Sequence, residues 1–179
     1  MKAFSKIETE RLILRPLAKE DATKLFQYRS LPEVYKYQGF IPEKIDDAVN
    51  FIERHNEIKP GSWMQLAITT KDNNVMIGDC GMHFIDDDFQ QVEIGFSLDP
   101  EFHGKGFASE AVKGIIDFLF NELKTHRVYG SCDPDNAASI KLMERLGMRK
   151  EAHFKKSIRL KDTWGDDLIF AILREEWGD

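Results

Sequence analysis

Apolar and polar positions change period along this chain, and the changes lay out its elements. Arg11 to Leu17 alternates, with Leu12 and Leu14 on one side and Arg11, Ile13 and Arg15 on the other. Pro16 predicts that this strand ends there or lies at an edge. Lys19-Glu20-Asp21 offers capping chemistry for a helix whose apolar side is Ala22, Leu25, Phe26 and Tyr28. Tyr35, Tyr37 and Phe40 fall in a stretch punctuated by Pro32 and Pro42. A helical period then covers Lys44 to Ile58, with Ile45, Ala48, Val49, Ile52 and His55 expected to face inward and Pro60-Gly61 as the stop. From Ser62 to Thr70 the period drops to two, setting Met64, Leu66 and Ile68 against Trp63, Gln65 and Ala67. Asp72-Asn73-Asn74 is a turn, Val75 to Phe84 a partner strand, Asp86-Asp87-Asp88 a second turn and Gln91 to Leu98 the next strand. Together they predict an antiparallel meander, in which Gly78 and Gly81 mark twist, a bulge or close packing.

Beyond Asp99-Pro100 comes His103-Gly104-Lys105-Gly106-Phe107-Ala108, which runs directly into an apolar-striped helix from Ala108 to Leu123. His126 to Cys132 is a strand reached across that helix, so it is expected to run parallel to Val92–Leu98. A short helix follows, with Asp133 or Asp135 as its cap, Ile140, Met143 and Leu146 as its stripe, and Gly147 as its stop. Arg149–Phe154 and Asp167–Leu173 are the last strands, separated by the turn-prone Lys161–Gly165. With no internal repeat and no low-complexity linker, the pattern predicts an α/β fold around one mixed sheet, with residues 1–179 as a single domain.

Composition narrows the partners. Of 179 residues, 42% are hydrophobic and 31% charged, an ordinary globular balance. The formal net charge of -6 disfavours nonspecific affinity for nucleic acid or an anionic membrane. Cys80 and Cys132 lack metal-ligand spacing and read as free thiols in a reducing compartment, with no metal expected. The N-terminal Met1–Lys6 lacks the apolar run of a signal peptide, so a cytoplasmic location is expected.

The glycine run is the chemically informative stretch. A strand, a glycine-punctuated turn and a helix start in succession can hold an anion, because the glycines let a ligand approach and the first helical amides lack partners. The run has neither the GKS/GKT ending of a nucleotide P-loop nor three glycines in Rossmann spacing. An amide nest for a diphosphate and a plain strand-to-helix turn with Lys105 solvated both remain open.

His103–Ala108 resembles the motif Q/R-x-x-G-x-G/A of the GNAT acetyltransferases, with Gly106 and Ala108 in its last two places. Asn136-Ala137-Ala138-Ser139 followed by Leu146-Gly147-Met148 is similar to the later half of that signature. Arg11–Leu17, Asp21-Ala22, Leu31–Val34 and Trp164–Asp167 resemble the RimJ/RimL branch, which holds ribosomal-protein N-terminal acetyltransferases and relatives with other amine substrates. The resemblance spans nearly the whole chain. It implies a single-domain GNAT fold with two splayed parallel strands, acetyl-CoA as cosubstrate, and an amine acceptor that is a peptide or a small molecule such as a polyamine or aminoglycoside. A monomer or homodimer is expected, and the charge and the lack of a spanning segment lead us to expect no nucleic-acid or membrane partner. A noncatalytic acyl-CoA-binding module on the same scaffold is the rival reading.

Carried over residue by residue, the resemblance sets the pyrophosphate of acetyl-CoA on the loop from His103 through Gly104, Lys105, Gly106 and Phe107 to Ala108 and Ser109. The pantetheine arm would lie along the strand bearing Phe96 and Leu98, with Asn136, Ser139 and Met143 near its thiol end. His103 stands where the motif prefers Gln or Arg, and Met143 where many members have a tyrosine that protonates the leaving thiolate. Methionine cannot donate a proton, which leaves Ser139 or water. Glu93, on the polar strand face with Gly95 and Ser97, is the general-base candidate, because acetyl transfer needs a neutral amine. Ion pairing with a neighbouring strand is its alternative role.

Overall fold

The computed structural model describes residues 4–160 and 163–178. In chain order the elements are β1 (Ile7–Glu8), β2 (Leu12–Pro16), α1 (Ala22–Arg29), α2 (Pro32–Tyr35), α3 (Ile45–Arg54), β3 (Ser62–Thr70), β4 (Met76–Phe84), β5 (Gln91–Leu98), α4 (Phe107–Asn121), β6 (Arg127–Cys132), α5 (Ala137–Arg145), β7 (Arg149–Leu160) and β8 (Thr163–Leu173). The strands form one sheet in the order β1-β2-β3-β4-β5-β6-β8-β7. Every neighbouring pair is antiparallel except β5 and β6, which the α4 crossover makes parallel.

The period-two pattern sorts side chains onto two faces. Met64, Leu66 and Ile68 of β3 join Ala111, Val112, Ile115, Ile116 and Leu119 of α4 in the larger core. Ala67, one residue out of step, instead packs with Ala22, Leu25, Ala48 and Ile52 of α1 and α3. The face under α1 and α3 therefore also carries Gln65, Asp79, Gly81, Glu93, Gly95 and Ser97. β5 and β6 pair only from Gln91–Arg127 to Ile94–Gly130, although both strands continue, to Leu98 and Cys132. The mixed sheet with splayed parallel strands matches the expected fold class.

Several local expectations need correction. α3 ends at Arg54 rather than Ile58, because His55 leaves the helical region at φ -125° and ψ 44°. Ile45, expected inward, is 45% exposed in the first turn of α3. Neither Asp133 nor Asp135 caps α5: Asn136 does, its side-chain oxygen accepting from the Ser139 amide at 3.2 Å. Gly147 does stop that helix, at φ 79°, with its own N–H bonded to Glu144 O and the Met148 N–H to Met143 O. The final strands are longer than periodicity shows, so Thr163, Trp164 and Gly165 lie in β8 and not in a turn. Lys161 and Asp162, the rest of that expected turn, lie outside the described residues. β1 and α2 are too short for a periodic signal.

Candidate active site

The glycine run forms a built loop. Asp99 accepts from the Glu101 amide at 3.1 Å and from Lys24 Nζ at 2.5 Å, which fixes the chain as it leaves β5. His103 Nε2 donates back to Leu98 O at 3.1 Å. Gly104 and Gly106 have φ of 74° and 79°, the left-handed region that glycine enters without strain. Gly106 is the N-cap of α4, and no side chain caps that helix, so its first amides are open to a ligand. Nothing lies within 4 Å of where a Cβ at Gly104 would stand. Lys105 turns away: its Nζ donates to Glu101 O and sits 5.1 Å from the Phe102 ring centre.

A cleft of about 480 Å³ opens from this loop toward the splayed strands. Its walls bring together Phe96, Leu98, His103, Gly104, Gly106, Phe107, Ala108 and Ser109 with Asn136 and Ser139 of the α5 start. Lys105 and Met143 are not on that wall. Met143 is 1% exposed, and its sulfur would stand 3.0 Å from a Cβ at Gly130 of β6. Helical rotation explains this: Ser139 and Leu142 face the cleft, and the next position turns beneath the helix onto the sheet.

Beside the cleft, under α3, lies a second cavity of about 680 Å³. Gln38 and Phe96 line both spaces, so the two meet there. Strand register sets out this face of the sheet in rows, from which Trp63, Gln65, Glu93 and Gly95 line the cavity. Trp63, His83, Glu93 and Tyr129 are successive partners across β3, β4, β5 and β6, and Gln65, Gly81 and Gly95 form the next row. Trp63 stacks on His83 at 5.0 Å between ring centres. Among the described residues the Glu93 carboxylate makes only long contacts, 3.5 Å to His83 Nδ1 and 3.5 Å to the Tyr129 hydroxyl. Burial raises the Glu93 pKa above its ordinary value, and His83 offsets part of the shift. Burial, with the Glu93 charge, also pushes Tyr129 up to about 12, so its hydroxyl stays protonated and available to donate.

The family model for the acetyltransferase (GNAT) domain matches residues 11–149. The chain belongs to the GNAT acetyltransferases. It is 37% identical over 171 residues to the uncharacterised N-acetyltransferase p20 of Bacillus licheniformis, covering 94% of this chain and 96% of that protein. A GNAT-family acetyltransferase structure from Bacillus anthracis superposes with a TM-score of 0.87 at 32% identity, covering 96% of this chain and 99% of that one. At 23% identity over 181 residues, the chain is also similar to the ribosomal protein uS5-alanine N-acetyltransferase of Escherichia coli, covering 96% of this chain and 92% of that protein.

As a GNAT enzyme the chain is an acetyl-CoA-dependent acetyltransferase, and its cleft fits that cosubstrate: uncapped amides for phosphate, then an apolar wall at Phe96 and Leu98. Two supports of the site were not found by sequence periodicity. Arg11 braces the loop, donating Nη1 to Lys105 O at 3.0 Å and Nε to Glu110 at 2.6 Å, with its guanidinium 4.5 Å from the Phe107 ring centre. Glu110 also accepts from Thr9 Oγ1 at 2.6 Å. Burial would raise the Glu110 pKa, but the Thr9 and Arg11 hydrogen bonds outweigh it and hold the carboxyl below its ordinary value. Under the second cavity, Arg29 donates Nε and Nη2 to Asp79 at 3.0 and 2.5 Å, and the Tyr28 hydroxyl donates to the same carboxylate. An acid inside the apolar run Val75–Phe84 was the one available signal for Asp79; its partner lies 50 positions away and leaves no local trace.

Among the described residues no group of three or more metal-ligand side chains occurs, and no helix is long and apolar enough to cross a membrane.

Proposed function

We propose that this enzyme N-acetylates a primary amine delivered through the cavity under α3, with the N-terminal amine of a polypeptide as the favoured acceptor. The observation that carries the reading is the junction at Phe96 and Gln38. It joins an amide-lined cleft suited to acetyl-CoA with a cavity that holds a half-buried carboxylate. The relative acting on ribosomal protein uS5 supports a peptide acceptor, as does a cavity open enough to admit a chain end. Residues 1–179 act as one domain in the reducing cytoplasm on this reading.

Bound acetyl-CoA supplies the thioester carbonyl. Glu93 takes a proton from the acceptor ammonium, directly or through a water, and frees its lone pair. The C–N bond forms as the C–S bond breaks, and the proton shed by the new amide nitrogen is relayed through Ser139 or water to the departing sulfur.

Glu93→Gln keeps the side chain's size and removes its basicity. Acetylation should fall roughly 10²-fold. Because burial raises the Glu93 pKa, the acid limb of the parent's kcat/KM profile should lie above the ordinary carboxylate range, and it should vanish in the variant. A profile of unchanged height and shape would remove Glu93 from the chemistry. A panel of N-terminal peptides, a polyamine and an aminoglycoside, scored by thiol release, tests the acceptor class.

Ser139→Ala separates donor from cap. Asn136 supplies the α5 cap through the Ser139 backbone, so the hydroxyl can be deleted while the cap stays. The melting temperature and CoA affinity should hold while kcat falls about tenfold, a modest loss because thiolate is a fair leaving group. Full turnover would leave water as the donor.

A further inference from the structure

We infer that Arg145 and Lys141 hold the 3′-phosphate of CoA and so make the enzyme discriminate CoA from its dephospho form. The inference rests on reading the cleft beside the glycine loop as the acetyl-CoA site. Both side chains line that cleft, one helical turn apart on the same side of α5. Neither has an ion-pair partner among the described residues. Among those residues Glu33 of α2 is the one carboxylate on the walls, and it pairs with neither cation. Glu144, also on α5, is exposed and off the cleft wall.

The path of α5 sets which end of CoA these cations meet. Asn136 and Ser139, at the start of the helix, stand at the thiol end on the reading above. Arg145 closes the helix, about 13 Å from Asn136 along its axis. There its Nη1 donates to Ser109 Oγ at 3.2 Å, which seats the guanidinium beside the first turn of α4. The nucleotide end of CoA therefore lies where α5 finishes.

Charge and donor geometry assign the contact. The open amides at the α4 start suit the diphosphate. They leave the 3′-phosphomonoester, with a charge of about -1.5 to -2 at pH 7, in need of its own partner. Lys105 Nζ is turned to Glu101 O and His103 Nε2 to Leu98 O, so neither serves. Arg145 spends only Nη1 on Ser109, and its Nε and Nη2 have no partner among the described residues. Those two nitrogens form the side-on fork that matches a pair of phosphate oxygens. Lys141, one turn earlier, adds a second charge. Two like charges at this spacing weaken an isolated helix slightly, and a bound dianion relieves that repulsion.

Calorimetry of the full-length protein with CoA and with 3′-dephospho-CoA tests this without turnover. The parent should bind CoA about tenfold more tightly, or better. Arg145→Gln should remove most of that preference and Lys141→Gln part of it, while dephospho-CoA affinity stays at the parental value. Arg145→Lys keeps the charge and loses the fork, so its preference should fall between those of the parent and Arg145→Gln. Added salt should shrink the parental preference, because both side chains are exposed. Equal affinity of the parent for the two ligands, or an undiminished preference in Arg145→Gln, would overturn the assignment. So would an equal loss for both ligands in Arg145→Gln, which would make the Ser109 contact a structural brace. Should Arg145→Gln fail to fold, the milder Arg145→Lys decides by the same ratio. Gly106→Val should weaken both ligands alike and leave their ratio intact, whereas a parent that binds neither would overturn the cleft reading itself.

Discussion

Gly106→Val should reduce CoA affinity by a hundredfold or more. Gly106 holds φ at 79°, where a β-branched residue is a steric outlier. Space is not the obstacle, since a Cβ there would meet only Arg11 Nη2 at 3.5 Å, an ordinary contact. The obstacle is the backbone. Valine would force the N-cap of α4 out of the left-handed region and swing the Phe107 and Ala108 amides away from a common focus. Left-handed strain costs about 1–2 kcal/mol for an ordinary residue and more for a branched one, and relief of that strain is what moves the amides. Gly104→Ala is the comparison, with a similar φ of 74° but open space and no capping role; its effect should be smaller. Calorimetry with CoA measures both variants. Parental affinity in Gly106→Val would show that the amides at the α4 start do not hold the diphosphate.

Asp79→Ala should be the most destabilising single change at the site. Asp79 is fully buried and Arg29 is 5% exposed. Burial alone would lower the Arg29 pKa, but the Asp79 carboxylate outweighs it and raises the value, so the guanidinium remains charged in the core. Removing the carboxylate strands that charge and leaves the buried Tyr28 hydroxyl without its acceptor. Breaking a buried pair from one side costs about 3–5 kcal/mol, which for a chain of this length corresponds to a melting temperature lower by on the order of 10 °C. The effect should reach catalysis as well, because Arg29 Nη1 also donates to Gln38 at 3.4 Å and Gln38 lines both spaces of the site. A double change to apolar residues at both positions should recover much of the stability without recovering that link. Thermal melts of the two variants distinguish them; an unchanged melting temperature in Asp79→Ala would mean that the pair is solvated.

The two expectations rest on features of unequal visibility in the sequence. The glycine loop was legible because its parts are consecutive: strand end, two glycines and helix start lie between Leu98 and Phe107. The three-strand meander was legible for the same reason, since its turns are short and its period is two. Periodicity states that Gln65 and Ala67 share a face, but not that Gly81 and Gly95 stand beside Gln65 in the sheet. It also could not place Met143 against Gly130 rather than in the cleft, because that depends on how α5 rotates over β6. The Asn136 cap competed with two nearby aspartates of equal capping propensity, and only the path of the turn decided among them. Arg29 with Asp79, and Arg11 with Glu110, are pairings across 50 and 99 positions, set by sheet order and helix packing.

That sheet order also governs how the chain can be finished during synthesis. β8 is last in sequence, yet it lies between β6 and β7 and pairs with both. A chain emerging N-terminus first can zip β1 through β5 as neighbours and dock β6 once α4 has formed. From then until Thr163–Leu173 leaves the ribosome, one flank of β6 presents unpaired N–H and C=O groups, a template for pairing with any other nascent strand. The C-terminal strand is the closing piece of the sheet, and a pause in translation before it would lengthen the interval in which this protein is most prone to aggregate.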